Sequence, residues 1–462
     1  MRPLVILVAA ATVGALTAPL PARAGGAGSA SGAGRTATAA RPGAADGTTA
    51  DLSAGDPSAA AHPSAAARSA AGLRGGGRPP GGPCALRTVS PHVSEGARTP
   101  RGYARSSGVV RAVTFLIDFP DAPARITPHK RYAEFFPAVA DYYRVSSYGR
   151  LDYRSTPWPR WIRMSRPYRS YGITRGATFD PNRDDGYYAI TKEIVAAVGG
   201  RVDFRRYDLI NVLAAPDAGP PAVQDVRSVT FAGAATGLTS RNGAPIRNVS
   251  FIWSRQTGDS PYRVLNHENA HSFGLPDLYR GDQNRMPRTP VGHWDPMDED
   301  WGPSNDFLAW HKWKLGWLAP SQVHCVSRPG RRLLTLSPTS VPGGPKLAVI
   351  PLSTTRAITL EARAPGRLDH AVCRPGVLVT TVASDVPSGA APVRASDATP
   401  GSRGCLTTDP NVSPALTDAP YRAGQRCTAA GVTVDVLGQD RAGNWRVLVT
   451  RRPPADHADD YA

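Results

Sequence analysis

The sequence predicts an α/β domain followed by an all-β module. Strand-like apolar runs at Val109–Asp118 and Tyr207–Ala214 bracket two helical stretches, which suggests a layered sheet with some parallel pairing. From about residue 320 the texture changes to short Val-, Leu- and Thr-rich runs separated by Gly and Pro turns, the pattern of a β-sandwich-like module. The chain has 462 residues and is 41% hydrophobic, enough to bury a core and to make two domains of ordinary size.

At the N-terminus, Arg2, the apolar stretch Val5 to Leu16 and Ala22-Arg23-Ala24 form the basic, apolar and small-x-small parts of a secretory signal peptide. Residues 1–24 are therefore read as a signal peptide, with a retained anchor as the alternative. The apolar stretch is too short to span a membrane. Residues 25–107 read as a disordered linker or pro-segment, because the Ala, Gly and Ser that dominate most of it cannot bury enough surface to offset ordering entropy.

Order is expected to begin at residue 108. Val109–Asp118 is a buried strand stopped by Phe119-Pro120-Asp121, and Tyr132–Ser146 is a helix ended by Gly149. Tyr188–Val198 is a second helix closed by Gly199-Gly200, and Tyr207–Ala214 a second buried strand. Val249–Trp253 alternates as a strand, either in the core or at a sheet edge able to pair with an extended substrate. The first domain runs over 108–320 and the β-rich module over 321–452, with strands at 333–336, 346–352, 357–361, 376–382, 432–437 and 445–450. Residues 453–462 are a disordered tail.

The formal charge of +17 comes mostly from Arg spread along the chain, with no basic run longer than a pair. That distribution argues against a nucleic-acid binder and favours association with an anionic surface such as a cell wall. A monomer is expected. Five cysteines in a chain bound for an oxidising compartment predict two disulfides and one leftover thiol. Cys405 with Cys427, and Cys84 with Cys325, are plausible pairs.

The chemistry is concentrated in Val264-Leu265-Asn266-His267-Glu268-Asn269-Ala270-His271-Ser272-Phe273-Gly274-Leu275-Pro276-Asp277. Residues four apart share a helix face, so His267 and His271 can present both imidazoles to one zinc ion. Glu268 lies beside them without filling a ligand place, as a general base on a zinc-bound water must. Gly274 can end the helix in a left-handed conformation and let Asp277 return as third ligand. Asp282, Asp295 and Asp298 compete for that third place.

The pattern His-Glu-x-x-His-x-x-Gly-x-Pro-Asp, followed by Leu278-Tyr279, resembles the immune inhibitor A family of secreted bacterial metallopeptidases, which are metzincin-like. The likeness includes Gly292-His293-Trp294-Asp295-Pro296-Met297-Asp298, similar to that family's Met-turn with Met297 as its methionine. It also includes the helix Asn305–Leu315 with Gly316-Trp317-Leu318, and upstream Asp141-Tyr142-Tyr143 to Ser147-Tyr148-Gly149-Arg150-Leu151. The resemblance covers 108 to 320 well. It is looser over the tail, where Leu360-Glu361-Ala362-Arg363 and Gly376-Val377-Leu378-Val379 carry it. It implies a zincin-type catalytic domain with a twisted mixed sheet and an active-site helix. The departure is Asp277, where three-histidine metzincins have His.

These readings converge on a secreted zinc endopeptidase acting on protein or peptide substrates. The alternatives are a non-catalytic surface or wall-binding protein on the same scaffold, and a hydrolase of cell-wall peptides. Cys84 could instead ligand the zinc and hold the enzyme latent, although a disulfide is its expected fate. Asp180-x-Asn182-x-Asp184-Asp185-Gly186 has the oxygen density of a calcium loop, but its Gly is one place late and no acidic residue closes it; a solvated turn is the first reading and Ca2+ the second. Tyr279 reads as a packing residue, with a role in holding the oxyanion or the Asp277 loop as the alternative, and His293 and His311 read as exposed or packing residues.

Overall fold

Eleven residues, the last seven of them all buried, form the first strand, β1 (Gly108–Asp118). Val110 and Ala112 face one core cluster, while Val113, Phe115 and Ile117 face another, so the strand is covered on both sides. The computed structural model describes residues 80–173, 177, 179–218, 228–233, 236–253, 262–281, 289–300, 306–405 and 414–453, all within one compact unit. It is a mixed α/β structure with three sheets and few helices.

The first sheet contains β1, β2 (Leu151–Arg163), β3 (Leu209–Ala214), β4 (Val229–Phe231) and β5 (Val249–Ile252), in the order β2-β1-β3-β5-β4. All neighbours are parallel except β4, which pairs antiparallel with β5. β2 escapes sequence reading because Pro157 and Pro159 interrupt it; it survives as an edge strand, its register with β1 shifting between Thr114 and Leu116. The edge position considered for Val249–Trp253 is corrected. β5 lies between β3 and β4, so both its backbone edges are occupied.

Helices cover both faces of this sheet. The single helix expected over 132–146 is two, α1 (Pro128–Ala133) and α2 (Ala138–Ser146), because Pro137 lacks the N–H that would continue the first. Thr127 caps α1 through the Lys130 N–H, 3.2 Å away. In α3 (Gly186–Val198), Tyr187, Ile190, Ile194 and Val198 line up at helical spacing against one face of the sheet. α4 (Tyr262–Ser272) packs on the other face and is buried from Arg263 to its end.

A buried polar network fixes α4 on the strands. Asn269 donates to Asn211 Oδ1 at 2.9 Å and to Ser250 Oγ at 3.1 Å, and its own oxygen accepts from the Tyr153 hydroxyl at 2.6 Å. Asn211 donates in turn to Thr114 Oγ1 at 3.1 Å, and the Tyr143 hydroxyl donates to the Asn266 carbonyl at 2.6 Å. Every polar atom of the Asn269 side chain is matched, so burial there is tolerated.

After the short helix α5 (Ala309–Lys314), the chain forms β6 (Val323–Cys325), β7 (Gly330–Leu336), β8 (Leu347–Pro351), β9 (Arg356–Arg363), β10 (Gly376–Ala383), β11 (Val393–Ser396), β12 (Arg426–Ala429), β13 (Val432–Gln439) and β14 (Trp445–Arg451). They make a five-stranded sheet β11-β10-β9-β8-β6 and a four-stranded sheet β12-β13-β14-β7. Ala348, Ile350, Ile358, Leu360, Val377 and Val379 share one cluster with Val434, Val436, Val447 and Val449 of the other sheet. Their sequence neighbours Leu347, Val349, Ala357, Leu378 and Val382 instead join the cluster that contains α4. The five-stranded sheet is therefore buried on both faces, and the core runs without a break across residue 320.

The disorder expected up to residue 107 does not extend that far. Cys84, Leu86, Val93 and Ala97 are core residues, and Cys84 is joined to Cys325 as anticipated. The second disulfide corrects the Cys405–Cys427 expectation. Cys405 pairs with Cys373, whose sulfur is brought to it by the fold, whereas Cys427 sits on β12 facing the inter-sheet core as a buried thiol. The signal-peptide segment, residues 25–79 and residues 454–462 lie outside the described residues. Among the described residues, no helix is long and apolar enough to cross a membrane.

Replacing Asn269 with Ala should leave Tyr153, Asn211 and Ser250 with unmet bonds inside the core. A loss of about 2–4 kcal/mol is expected from the denaturant midpoint, against under 1 kcal/mol for an exposed substitution such as Arg441→Ala.

Candidate metal centre

α4 carries His267, Glu268 and His271, and its end is built to bring the chain back. Gly274 has φ +94°, and the Gly274 and Leu275 N–H groups bond to the His271 and Ala270 carbonyls at 2.9 and 3.1 Å, a left-handed helix stop. A side chain at Gly274 would place its Cβ 2.3 Å from Thr99 Cγ2, so close approach as well as conformation requires glycine. The reversal returns Asp277 to the two histidines.

Each imidazole has its Nδ1 against a carbonyl, His267 to Pro296 O and His271 to Leu275 O, both at 2.8 Å. Those bonds place the proton on Nδ1 and aim both Nε2 lone pairs inward. The Nε2 atoms lie 3.1 Å apart, and Asp277 Oδ1 lies 3.3 Å from His267 Nε2 and 3.1 Å from His271 Nε2. Among the described residues, this is the group of histidines and carboxylates placed to hold a metal ion. Ligands at about 2.0–2.1 Å around a tetrahedral zinc stand about 3.3 Å from one another, so the spacing fits. Asp277 Oδ1 has no hydrogen-bond partner, which also fits an atom reserved for a cation.

The electrostatics agree. Burial opposes protonation of His267, but the adjacent Asp277 carboxylate and the charges of Asp300 and Glu268 outweigh it and raise its pKa to about 10. Burial also works against ionisation of Asp277, yet the two histidines hold its carboxyl well below the usual range. The centre attracts positive charge.

Glu268 is fully buried beside the three ligand atoms. Its Oε2 lies 2.8 Å from the hydroxyl of Thr230 on the edge strand β4, and its Oε1 is unpartnered. Burial raises its pKa to about 7, while His267, His271 and Thr230 act the other way. No residue of the cluster is more than 3% exposed.

The rival third ligands are accounted for in part. Asp295 accepts from the Met297 and Leu308 N–H groups and from His311, and Asp298 accepts from Val291 and Gly292. Neither belongs to the cluster, and Asp282 lies outside the described residues. Met297 is fully buried in the core cluster of Ala270, Leu275 and Leu278, and its carbonyl accepts from the Leu278 N–H at 2.9 Å. The Tyr279 ring lies nearly parallel to His267 with centroids 6.5 Å apart. His293 and His311 are buried, and His311 has one nitrogen against Asp295 Oδ2 at 2.7 Å and the other against Glu95 Oε1 at 3.0 Å. Asp185 of the acidic loop pairs with Arg183, and Arg166 lies against Asp184; its Asp180 oxygen accepts from Asn182.

Three contributors had no sequence signal. Thr230 lies on a three-residue strand, and Ser388 lies in the turn between β10 and β11. Ser388 Oγ donates to Asp277 Oδ2 at 3.1 Å and accepts from the Asp277 N–H at 2.9 Å, while the Gly389 N–H bonds to the Asp277 carbonyl. Glu95 is the third, from a segment expected to be unstructured. Thr230 and Ser388 reach the centre, and Glu95 reaches His311, from far away in sequence, where no local pattern could mark them.

Compared with known proteins, the chain matches no protein-family model and no curated protein. Replacing Ser388 with Ala should free the Asp277 carboxylate to rotate. Zinc affinity, measured by competition with a chromogenic chelator, is expected to fall about 10- to 100-fold with the fold intact; an unchanged affinity would remove Ser388 from the centre.

Proposed function

We propose that this chain is a secreted zinc-dependent endopeptidase with a zincin-type catalytic domain and a β-sandwich-like module behind it. The observation that carries this reading is the convergence of His267 Nε2, His271 Nε2 and Asp277 Oδ1 at ligand spacing, beside a carboxylate with one free oxygen. The resemblance of the motif from His267 to Tyr279 to the immune inhibitor A family supports it, as do two disulfides of the kind found in oxidising compartments.

His267, His271 and Asp277 would hold the ion. When bound, zinc supplies Lewis-acid polarisation of the scissile carbonyl and makes water more acidic. Glu268 does the proton work. Thr230 fixes Oε2, which leaves Oε1 to take a proton from the attacking water as its oxygen bonds to the peptide carbon. The C–N bond then breaks, and the same carboxyl returns that proton to the departing amine, giving a carboxylic acid and an amine, which pass a further proton between them to leave as carboxylate and ammonium. A carboxyl poised near neutrality suits both transfers.

A second reading keeps the chemistry and takes peptides of the cell wall as substrate, favoured by the +17 charge. Release of soluble muropeptides from purified wall, with casein left intact, would select it. A non-catalytic scaffold has less support, because it gives Glu268 no role that would need a free, buried oxygen.

Glu268→Gln keeps the shape and removes the base. Casein hydrolysis should fall by at least about 10³-fold while zinc content stays at the wild-type level. Retained hydrolysis would eliminate Glu268 as the base, and hydrolysis unaffected by chelation in the wild type would eliminate the metal.

A further inference from the structure

Residues 80–107, the described part of the chain before β1, form no helix or strand, yet they are bonded along their length to the body that carries the candidate metal centre. Cys84 is disulfide-bonded to Cys325. The Lys314 ammonium donates to the Gly96 carbonyl, and Thr99 fills the space beside Gly274. The Ala104 N–H bonds to the Ser272 carbonyl, at the end of α4, at 2.8 Å. Ser106 donates to the Leu315 carbonyl at 2.9 Å and accepts from the Trp317 indole at 2.6 Å.

Glu95 is the innermost point of this strap, with no exposed surface. Its Oε2 accepts from the Trp310 indole N–H at 2.8 Å, and its Oε1 faces His311 Nε2 at 3.0 Å. His311 Nδ1 faces Asp295 Oδ2 at 2.7 Å, so the imidazole lies between two buried carboxylates and donates to both. The other oxygen of Asp295 accepts from the Met297 N–H at 2.8 Å. Pro296, held between those two residues, presents the carbonyl that accepts from His267 Nδ1. An unbroken line of short bonds therefore runs from the strap to the first histidine of the centre.

Taking His267 as a metal ligand, as proposed above, we infer that residues 84–106 are a working part of the metal centre. Within them, Glu95 is the positioning residue that fixes the Pro296 carbonyl against His267 through His311 and Asp295. A segment with that role cannot be discarded on maturation. Any cut that yields a working enzyme falls on the N-terminal side of Cys84.

The test uses the full chain stripped with chelator and reloaded with cobalt(II), whose visible spectrum reports ligand geometry. Glu95→Gln keeps the side chain's shape and removes its charge. It is expected to bind cobalt about tenfold more weakly than wild type and with shifted absorption bands. Asp118→Asn, at a buried carboxylate paired with the half-exposed Arg163 outside this line of bonds, should lower thermal stability with spectrum and affinity unchanged. If Glu95→Gln fails to fold, Trp310→Phe removes one of the two bonds to Glu95 and should shift the spectrum in the same direction. A wild-type spectrum and affinity in whichever variant folds overturns the proposal, whereas a wild-type chain that takes up no cobalt overturns the metal reading beneath it. After limited trypsin digestion of the native chain, the material that still binds cobalt like wild type should retain residues 84–106, held through the Cys84–Cys325 disulfide. A core starting after Arg105 that still binds cobalt like wild type would also overturn it.

Discussion

Two imidazole lone pairs and a carboxylate oxygen facing one another at 3.1–3.3 Å repel unless positive charge lies between them. That demand organises the molecule around it. Each ligand is held from behind by a bond that leaves its inward atom free: Pro296 O behind His267, Leu275 O behind His271, and Ser388 behind Asp277. The three supports come from the turn that ends in Met297, the loop after Gly274 and the turn between β10 and β11. Apposition of these atoms therefore requires the helical layer and the five-stranded sheet to be packed together.

The packing between those layers is ionic as well as apolar. Arg363 on β9 is fully buried and bonds to Glu361, Asp369 and the Trp294 carbonyl, and Lys312 on α5 is buried against Asp306 and the Ser146 carbonyl. Burying such charges costs more than an apolar interior would, and the cost is offset only when every partner is in place. An apolar interface could slide, whereas one made of multiply bonded charges has a single register. The His267–His271–Asp277 cluster needs that register, because the Trp294 carbonyl bonded by Arg363 lies in the same turn as Pro296.

The centre itself was legible in the sequence because its information is local. The four-residue spacing of His267 and His271, the glycine stop at Gly274 and the carboxylate at Asp277 all fall within eleven residues, and helix geometry does the rest. Most strands were legible for a similar reason, since those buried on both faces read as plain apolar runs. What could not be read was non-local. Prolines hid β2, whose edge position tolerates them, and Pro137 divided a helix whose apolar stripe looked continuous. Disulfide partners follow from which loops meet, so the neighbours Cys405 and Cys427 in sequence were the wrong pair. The strap looked unstructured because it has no periodicity; its order comes from single side chains docked into a body built by the residues that follow.

The most direct measurement is metal analysis of the purified chain together with X-ray absorption at the zinc edge. The account predicts about one zinc per chain, bound by two imidazole nitrogens and at least one carboxylate oxygen, with His271→Ala abolishing uptake. A chain isolated without zinc and unable to take it up, or one whose zinc is retained in His271→Ala, would contradict it.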